Sequence, residues 1–80
     1  MNFQKGNFEI IITKHAFERA MQRRIHPDLI ENAIQTGRIE HLGKNNLKIV
    51  KQFRKFTIIC VDEIIGRVVK IVTIEKKWKL

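Results

Sequence analysis

The stretch FEIIITKHAFERAMQRRIHPDLIENAIQTG, residues 8–37, decides the fold. Its first five residues are β-branched or aromatic apart from Glu9, which predicts a short strand over residues 8–12. Thr13 follows at the position of a helix N-cap, because its hydroxyl can accept a backbone N–H of the first turn. Beyond it, apolar residues recur at helical spacing and predict a first helix over residues 14–25. This apolar face consists of Ala16, Phe17, Ala20 and Met21.

A second helix is predicted over residues 27–36. Pro27 has the backbone geometry of a first helical position, and it forces the residue before it out of the helix. Gly37 is expected to end the helix, because glycine adopts left-handed geometry without steric penalty. The apolar face between them consists of Leu29, Ile30, Ala33 and Ile34.

The residues after Gly37 follow the pattern of strands, which we place at 38–42, 47–53, 56–62 and 67–75. The glycine and asparagines of residues 43–46 predict a turn, and Arg54-Lys55 is a two-residue hairpin link. Strands joined by such short links are antiparallel, because parallel crossovers need many more residues. The last strand is the most apolar and continuous, so it is expected at the centre of the sheet.

Residues 1–80 are therefore predicted to form one α+β domain with the order β-α-α-β-β-β-β, both helices lying on one face of a mainly antiparallel sheet. No apolar run approaches the roughly 20 residues that cross a bilayer, and no secretory signal is recognisable, so no membrane partner is expected. Cys60 is the single cysteine, which excludes an internal disulfide and fits the reducing cytoplasm as the location.

Charge is unevenly distributed along the chain. Sixteen Lys and Arg residues stand against eight Asp and Glu residues, for a net charge of +8. Residues 1–42 carry six basic and five acidic groups, whereas residues 43–80 carry ten basic and three acidic groups, a net +7. A half with this excess of cations attracts phosphate backbones or an acidic protein partner. A solvated surface that keeps the protein soluble is the alternative explanation.

The first helix carries the residues that could perform chemistry. His15, Arg19 and Arg23 recur every fourth residue and form one stripe opposite the apolar face. Cleavage of RNA without a metal needs a base for the 2′-hydroxyl proton and cations for the charge on the phosphate. Histidine and arginine can supply these roles. An ordinary solvated helix face is the alternative.

The remaining histidines and the cysteine suggest no second site. His26 is expected at a helix boundary and His41 on a strand facing solvent. Cys60 lies in the apolar segment TIICV, where a buried, inert thiol is the usual outcome. The spacing of these residues matches no local pair of metal ligands, so neither a metal nor another cofactor is expected.

The segment ITKHAFERAMQRRI, the amphipathic helix after it and the strand KIVTIE resemble a family of small bacterial proteins catalogued as a domain of unknown function. That family carries the signature T-x-H-A-x-x-R-x-x-x-R-x-I and has been grouped with the barnase–EndoU–colicin–RelE (BECR) superfamily of metal-independent RNases and toxins. The resemblance covers roughly residues 10–75 and implies a single RelE-like or barnase-like domain with its cleft between helix and sheet. Where the family often has glycine after the second arginine, this chain has Arg24.

The resemblance implies a metal-independent RNA endonuclease of the bacterial toxin type, which cuts by attack of the 2′-hydroxyl. His15 would be the general base, or the acid of the return step, and Arg19 and Arg23 would hold the phosphate. Thr73 matches the family's hydroxyl residue of the last strand, although a β-branched residue is at home in any strand. The residues expected to contact RNA are Lys14, Lys48, Lys51, Arg54, Lys55, Lys70, Lys76 and Lys77.

The alternative function is a non-catalytic module of the same fold that binds RNA or protein through the same basic surface. The expected partners are RNA and an acidic antitoxin or immunity protein. The chain has one Trp and no Tyr, so a platform for base stacking is poorly supplied. Contacts to the RNA backbone are therefore expected to dominate in either case.

Overall fold

The structure, a computed structural model, describes residues 2–79, which form two helices and six strands. In chain order they are β1 (Asn2–Lys5), β2 (Phe8–Ile12), α1 (Lys14–Gln22), α2 (Pro27–Thr36), β3 (Arg38–His41), β4 (Asn46–Gln52), β5 (Phe56–Ile65) and β6 (Val68–Trp78). The predicted α+β class and both predicted helices are confirmed. α1 ends earlier than predicted, at Gln22, and β6 continues beyond the predicted end, to Trp78.

The strand β1 is absent from the predicted order, which begins with the strand over residues 8–12. β1 forms a hairpin with β2, in which Phe3 pairs with Ile10. The link between the strands is Gly6-Asn7, and Gly6 has a φ of 59°, the left-handed geometry that such tight hairpin turns require. Glycine followed by asparagine between two short segments is the sequence signal that indicates this hairpin.

The six strands form one mixed sheet in the order β1-β2-β6-β5-β4-β3. Four of the five pairings are antiparallel, including those predicted between the strands after Gly37, but β2 pairs with β6 in parallel, with Ile10 opposite Val69. The connection between these two strands contains both helices and three strands, so the chain can return in the same direction. β6 lies between β2 and β5, and the prediction that the last strand is central is confirmed.

Both helices cover the same face of the sheet, because their buried side chains and those of the strands form one apolar cluster. α1 contacts β6, and α2 contacts β1, β4 and β5. Ala16 and Ala20 are the buried residues of α1, and their small side chains let the helix approach the sheet closely. The other members of the cluster are Ile10, Ile12, Ile25, Ile30, Ala33, Ile34, Leu47, Ile49, Ile58, Cys60, Val69, Ile71 and Ile74.

Thr13 fixes the start of α1 and ties it to the sheet. Its hydroxyl accepts a hydrogen bond from the Ala16 N–H at 3.1 Å, as predicted for the N-cap. The same hydroxyl donates to the carbonyl of Ile71 in β6, also at 3.1 Å. The first turn of α1, which contains His15, is therefore held at a fixed place beside the central strand.

The end of α1 is a Schellman motif with an unusual residue. The Ile25 N–H bonds the Ala20 carbonyl and the Arg24 N–H bonds the Met21 carbonyl, each at 3.0 Å. This geometry needs a left-handed residue, and Arg24 supplies it with a φ of 59°. A side chain in that region costs about 1–2 kcal/mol, which glycine avoids. Arg24 therefore strains the backbone at the end of α1 as well as adding a charge.

The ends of α2 confirm the predicted boundary residues but correct the role of Gly37. His26 is the N-cap, because its Nδ1 accepts a hydrogen bond from the Asp28 N–H at 3.1 Å. Gly37 has a φ of −71°, so the predicted left-handed geometry is wrong. A Cβ at Gly37 would clash with the Ala33 carbonyl oxygen and lie 2.8 Å from Cγ2 of Ile49. Glycine is needed there because α2 and β4 approach each other so closely.

Candidate active-site cleft

A cleft lies between α1 and the second half of β6. β2 ends at Ile12, opposite Ile71, while β6 continues to Trp78 with β5 as its neighbour in the described chain. This leaves one edge of β6 unpaired beside α1, and the two elements enclose about 120 Å³. We call this space the α1–β6 cleft. Its lining residues are His15, Ala16, Arg19, Arg23, Val72, Thr73 and Ile74.

The polar wall of the α1–β6 cleft is the stripe of His15, Arg19 and Arg23. Residues four apart in a helix lie about 6 Å apart along its axis, so the three follow each other along the cleft. All three are exposed, and none has a carboxylate within 4.0 Å among residues 2–79. The neighbouring Glu18 instead contacts Lys14, at 3.9 Å. The cleft therefore presents an imidazole and two guanidiniums that an anion can approach directly.

Arg23 connects the helix to the unpaired edge of β6. Its Nη1 donates a hydrogen bond to the main-chain carbonyl of Ile74 at 2.8 Å. The pairing of β2 with β6 ends at Ile71, so no strand of the described chain bonds the Ile74 carbonyl. The Arg23 guanidinium supplies the hydrogen-bond partner that this carbonyl would otherwise lack. A guanidinium has five N–H donors, and the remaining ones stay available to a ligand. Arg23 is thus a structural link and a candidate ligand contact at once, whereas Arg19 makes no such bond.

Thr73 borders the cleft at an irregularity of β6. Thr73 pairs with Val61, but the next partner of Asp62 is Ile71, so Val72 is the extra residue of a β-bulge. The neighbouring Ile74 is buried in the core beneath the helices. Since side chains alternate along a strand, that of Thr73 leaves the sheet on the face opposite the helices. Thr73 therefore offers the cleft its main chain rather than its hydroxyl.

Beyond Arg23 the α1–β6 cleft continues into a second depression, which we call the basic groove. It is lined by Arg23, Glu75, Lys76 and Lys77, so Arg23 belongs to both sites. Because side chains alternate along a strand, Lys76 lies on the helix side of β6, and Glu75 and Lys77 lie on the opposite side. The basic groove therefore extends around the edge of β6 from one face of the sheet to the other. Both lysines are predicted RNA contacts, but their position beside Arg23 could not be predicted from the sequence.

Three aromatic residues adjoin the basic groove at the end of the sheet. Phe53 and Phe56 are stacked at 5.1 Å between ring centroids, and Trp78 meets Phe56 edge-on at 5.4 Å. We call this set the aromatic cluster. Lys76 Nζ lies 4.4 Å from the ring centroids of both Phe56 and Trp78. Trp78 is nevertheless 64% exposed. The prediction of a poorly supplied stacking platform considered the single Trp and did not include the two phenylalanines that pack beside it.

The predicted RNA contacts are only partly brought together. Lys76 and Lys77 line the basic groove, and the Arg54-Lys55 link lies at the same end of the sheet, where the Lys79 N–H bonds the Lys55 carbonyl at 2.9 Å. Lys76 and Lys77 therefore share a groove with Arg23, and Arg54 and Lys55 lie at the same end of the sheet.

The other four predicted contacts lie elsewhere. Lys14 is at the start of α1, and Lys51 is half-buried on the helix side of β4. Lys48 pairs with Val61, and Lys70 pairs with Ile11, which puts both on the sheet face away from the helices. The structure therefore does not bring the eight residues to one surface.

A buried carboxyl in β5 was not anticipated from the sequence. Asp62 is fully buried between Leu47 and Ile71, and neither carboxyl oxygen has a hydrogen-bond partner in the described chain. Asn46 reaches only its main-chain carbonyl, at 3.4 Å. Burial raises the pKa of Asp62 from 3.8 to about 8, so the folded protein keeps this group protonated at neutral pH. Burial, with a contribution from Asp62, also raises the pKa of the Cys60 thiol to about 12.

Neither metal-binding nor membrane-spanning features stand out in the described chain. Within residues 2–79, no three His, Cys, Asp or Glu side chains are grouped so that they could hold a metal ion. Of the helices described, none is long and apolar enough to cross a membrane.

The fold and the cleft define a small α+β protein in which the first helix and the last strand enclose a cationic site. The chain belongs to the family described as Domain of unknown function (DUF4258), whose profile matches residues 12–77. Membership in a family of unknown function is thereby confirmed. No curated protein and no solved structure matches the chain.

Proposed function

We propose that this protein is a metal-independent RNA endonuclease of the bacterial toxin type, with its active site in the α1–β6 cleft. One observation carries the proposal: an imidazole and two guanidiniums, without carboxylate partners among residues 2–79, border one cleft beside an open strand edge. The resemblance of the α1 segment to proteins grouped with the BECR superfamily supports the same activity. The excess of basic residues supplies attraction for a polyanionic substrate.

In the proposed reaction, His15 accepts the proton of the ribose 2′-hydroxyl. The 2′-oxygen then forms a bond to the adjacent phosphorus, and the bond from phosphorus to the 5′-oxygen breaks. Arg19 and the free donors of Arg23 bind the phosphate oxygens as negative charge develops on them. A solvent water molecule protonates the leaving 5′-oxygen, and the hydroxide that remains takes the proton from His15, which restores the neutral imidazole. The products are a 2′,3′-cyclic phosphate and a 5′-hydroxyl end.

The test is cleavage of a defined single-stranded RNA by the purified protein in the presence of a metal chelator. We expect products ending in 2′,3′-cyclic phosphate, and we expect no cleavage of the same sequence made of 2′-deoxynucleotides. His15→Ala should lower the rate by about 10²–10⁴-fold, the usual contribution of general acid–base catalysis. His41→Ala is the matched control, because His41 is an exposed histidine on β3, outside the cleft lining. Wild-type activity in His15→Ala would refute the catalytic assignment.

The contribution of Thr73 needs a separate test. The proposal from the resemblance gives its hydroxyl a hydrogen bond to the phosphate, whereas pleat alternation directs that hydroxyl to the other face. Thr73→Val keeps the shape and removes the hydroxyl. If Thr73→Val cleaves RNA at the wild-type rate, only the main chain of Thr73 contributes to the cleft. A large loss of rate would show that the Thr73 hydroxyl takes part in the reaction.

The second candidate function is binding without catalysis, and the bond of Arg23 to Ile74 favours it. A guanidinium held by the main chain is a fixed recognition group, and the unpaired edge of β6 offers main-chain donors and acceptors to an extended partner segment. An acidic antitoxin or immunity protein would suit such a surface. Tight RNA or partner binding with no cleavage, and no effect of His15→Ala, would support this function instead.

A further inference from the structure

We infer that the aromatic cluster is a subsite for an unpaired base of single-stranded RNA, with the adjoining phosphate held in the basic groove. This inference deepens the proposed function and rests on it for the identity of the ligand. The cluster consists of Phe53, Phe56 and Trp78, and the groove is lined by Arg23, Glu75, Lys76 and Lys77.

The aromatic cluster and the basic groove adjoin the proposed reaction site. Arg23 lines both the α1–β6 cleft and the basic groove, so a chain that lies in one enters the other. Trp78 is four residues beyond Ile74 on the same strand, or about 13 Å at the usual rise. A single strand of a few nucleotides covers that distance. The unpaired edge of β6 runs along this path.

The aromatic cluster has side chains on which a nucleobase can stack. Trp78 is 64% exposed although it contacts Phe56, so most of the indole surface is open to a ligand. Every nucleobase has a π face that stacks on an aromatic ring, and such stacking does not require a particular sequence. Lys76 Nζ lies over the rings of both Phe56 and Trp78, 4.4 Å from each centroid, so a cation covers one face of the exposed indole and a base stacks on the surface that remains. A base and its phosphate can thus be bound together.

The basic groove and the aromatic cluster suit RNA better than an acidic protein segment. Glu75 lies among the residues that line the basic groove, which lowers its attraction for a ligand that offers negative charge alone. A nucleotide gains from the aromatic face as well as from the cations, whereas an acidic peptide gains from the cations only. The observations therefore favour single-stranded nucleic acid at this position.

The experiment uses Trp78 as its own reporter, since it is the single Trp of the chain. The full-length protein is titrated with a single-stranded 2′-O-methyl oligonucleotide, which binds like RNA but lacks the attacking hydroxyl. An oligonucleotide of equal length and charge without bases is the matched ligand. We expect strong quenching of Trp78 fluorescence by the first and little by the second. A polyglutamate peptide measures the effect of charge alone.

Substitutions give an independent measurement by anisotropy of a labelled oligonucleotide. Trp78→Ala should weaken binding about 5- to 150-fold, the range that one stacked base contributes, and Trp78→Phe should restore much of it. Ile65→Ala is the control for an exposed apolar side chain, because Ile65 is 59% exposed at the opposite end of β5. Lys76→Gln should weaken binding more than Lys44→Gln, which removes the same charge in the β3–β4 loop.

The outcomes distinguish this inference from the proposed activity. If Trp78 fluorescence is quenched only by the oligonucleotide with bases and no RNA is cleaved, the subsite is supported and the nuclease activity is contradicted. Cleavage of RNA with Trp78→Ala binding as tightly as the wild type keeps the nuclease and removes the subsite. Equal quenching by the abasic oligonucleotide or by polyglutamate shows that the surface recognises charge alone, and the inference is then wrong.

Discussion

Replacing the buried Asp62 by asparagine should remove a pH dependence from the stability of the fold. Burial raises the pKa of the Asp62 carboxyl from 3.8 to about 8, and no polar group among residues 2–79 bonds either of its oxygens. The folded state therefore binds a proton that the unfolded state releases. The stability contributed by the protonated form is fully present below pH 3.8 and is lost as pH rises through about 8. Asparagine has a similar shape and does not titrate.

The size of the effect follows from the shift. Each pH unit between the two pKa values changes the free energy of unfolding by about 1.4 kcal/mol, so roughly 4 kcal/mol separates pH 4 from pH 7. A domain of this length has a total stability of only ~4–12 kcal/mol, so the effect is a large fraction of it. Glu40, whose pKa is lowered chiefly by its hydrogen bond with Arg38, acts in the opposite direction below pH 4.5. It is common to both proteins and cancels in the difference.

The assay is urea unfolding, followed by far-UV circular dichroism, at unit intervals from pH 4 to pH 8. The stability of Asp62→Asn relative to the wild type should grow by about 1.4 kcal/mol per unit from pH 4 to pH 7, and more slowly as the pH reaches the raised pKa of about 8. Glu63→Gln is the matched control, because Glu63 is the exposed carboxylate that follows Asp62 in β5. If the free energies of unfolding of Asp62→Asn and of the wild type change with pH in parallel, Asp62 is ionised in the folded protein and its charge is compensated. The predicted rise in its pKa would then be wrong.

Three further predictions concern the backbone and the charge. Gly37→Ala should destabilise the fold by about 1–3 kcal/mol in urea unfolding, because the new Cβ meets the Ala33 carbonyl and Ile49; an unchanged midpoint would contradict the close approach. Arg24→Gly should stabilise it by about 1 kcal/mol by relieving the left-handed arginine, whereas Gln22→Gly, in regular helix, should destabilise it. RNA binding should weaken steeply with salt, each neutralised phosphate adding about 0.7 to the log–log slope, and a flat response would count against both functions.

Local features of the fold could be predicted because short-range patterns determine them. Thr13 and His26 mark helix starts through capping groups that lie within three residues of their partners. The hairpins of β4, β5 and β6 follow from links too short for any other connection. The parallel pairing of β2 with β6 could not be predicted in the same way, because Ile10 and Val69 are brought together only by the completed sheet.

The candidate site shows the same division. The stripe of His15, Arg19 and Arg23 is a helical repeat and is visible in the sequence. The bulge at Val72 is determined by packing between strands and is not visible in the sequence. The sheet face from which the Thr73 side chain projects depends on this bulge, so it could not be inferred from the sequence. Asp62 continues the alternation of buried residues in β5, so its burial could have been inferred from that position.

The central position of β6 has a consequence for the synthesis of the protein. β6 is translated after every other strand, yet it is the element that joins β1-β2 to β5-β4-β3. Until it leaves the ribosome, the nascent chain has two separate sheet fragments with open edges, at β2 and at β5, that other chains can pair with. The α1–β6 cleft also lacks one wall until that moment. If synthesis stops before Val68, the chain has both helices with His15, Arg19 and Arg23, but it lacks the strand that completes the cleft beside them.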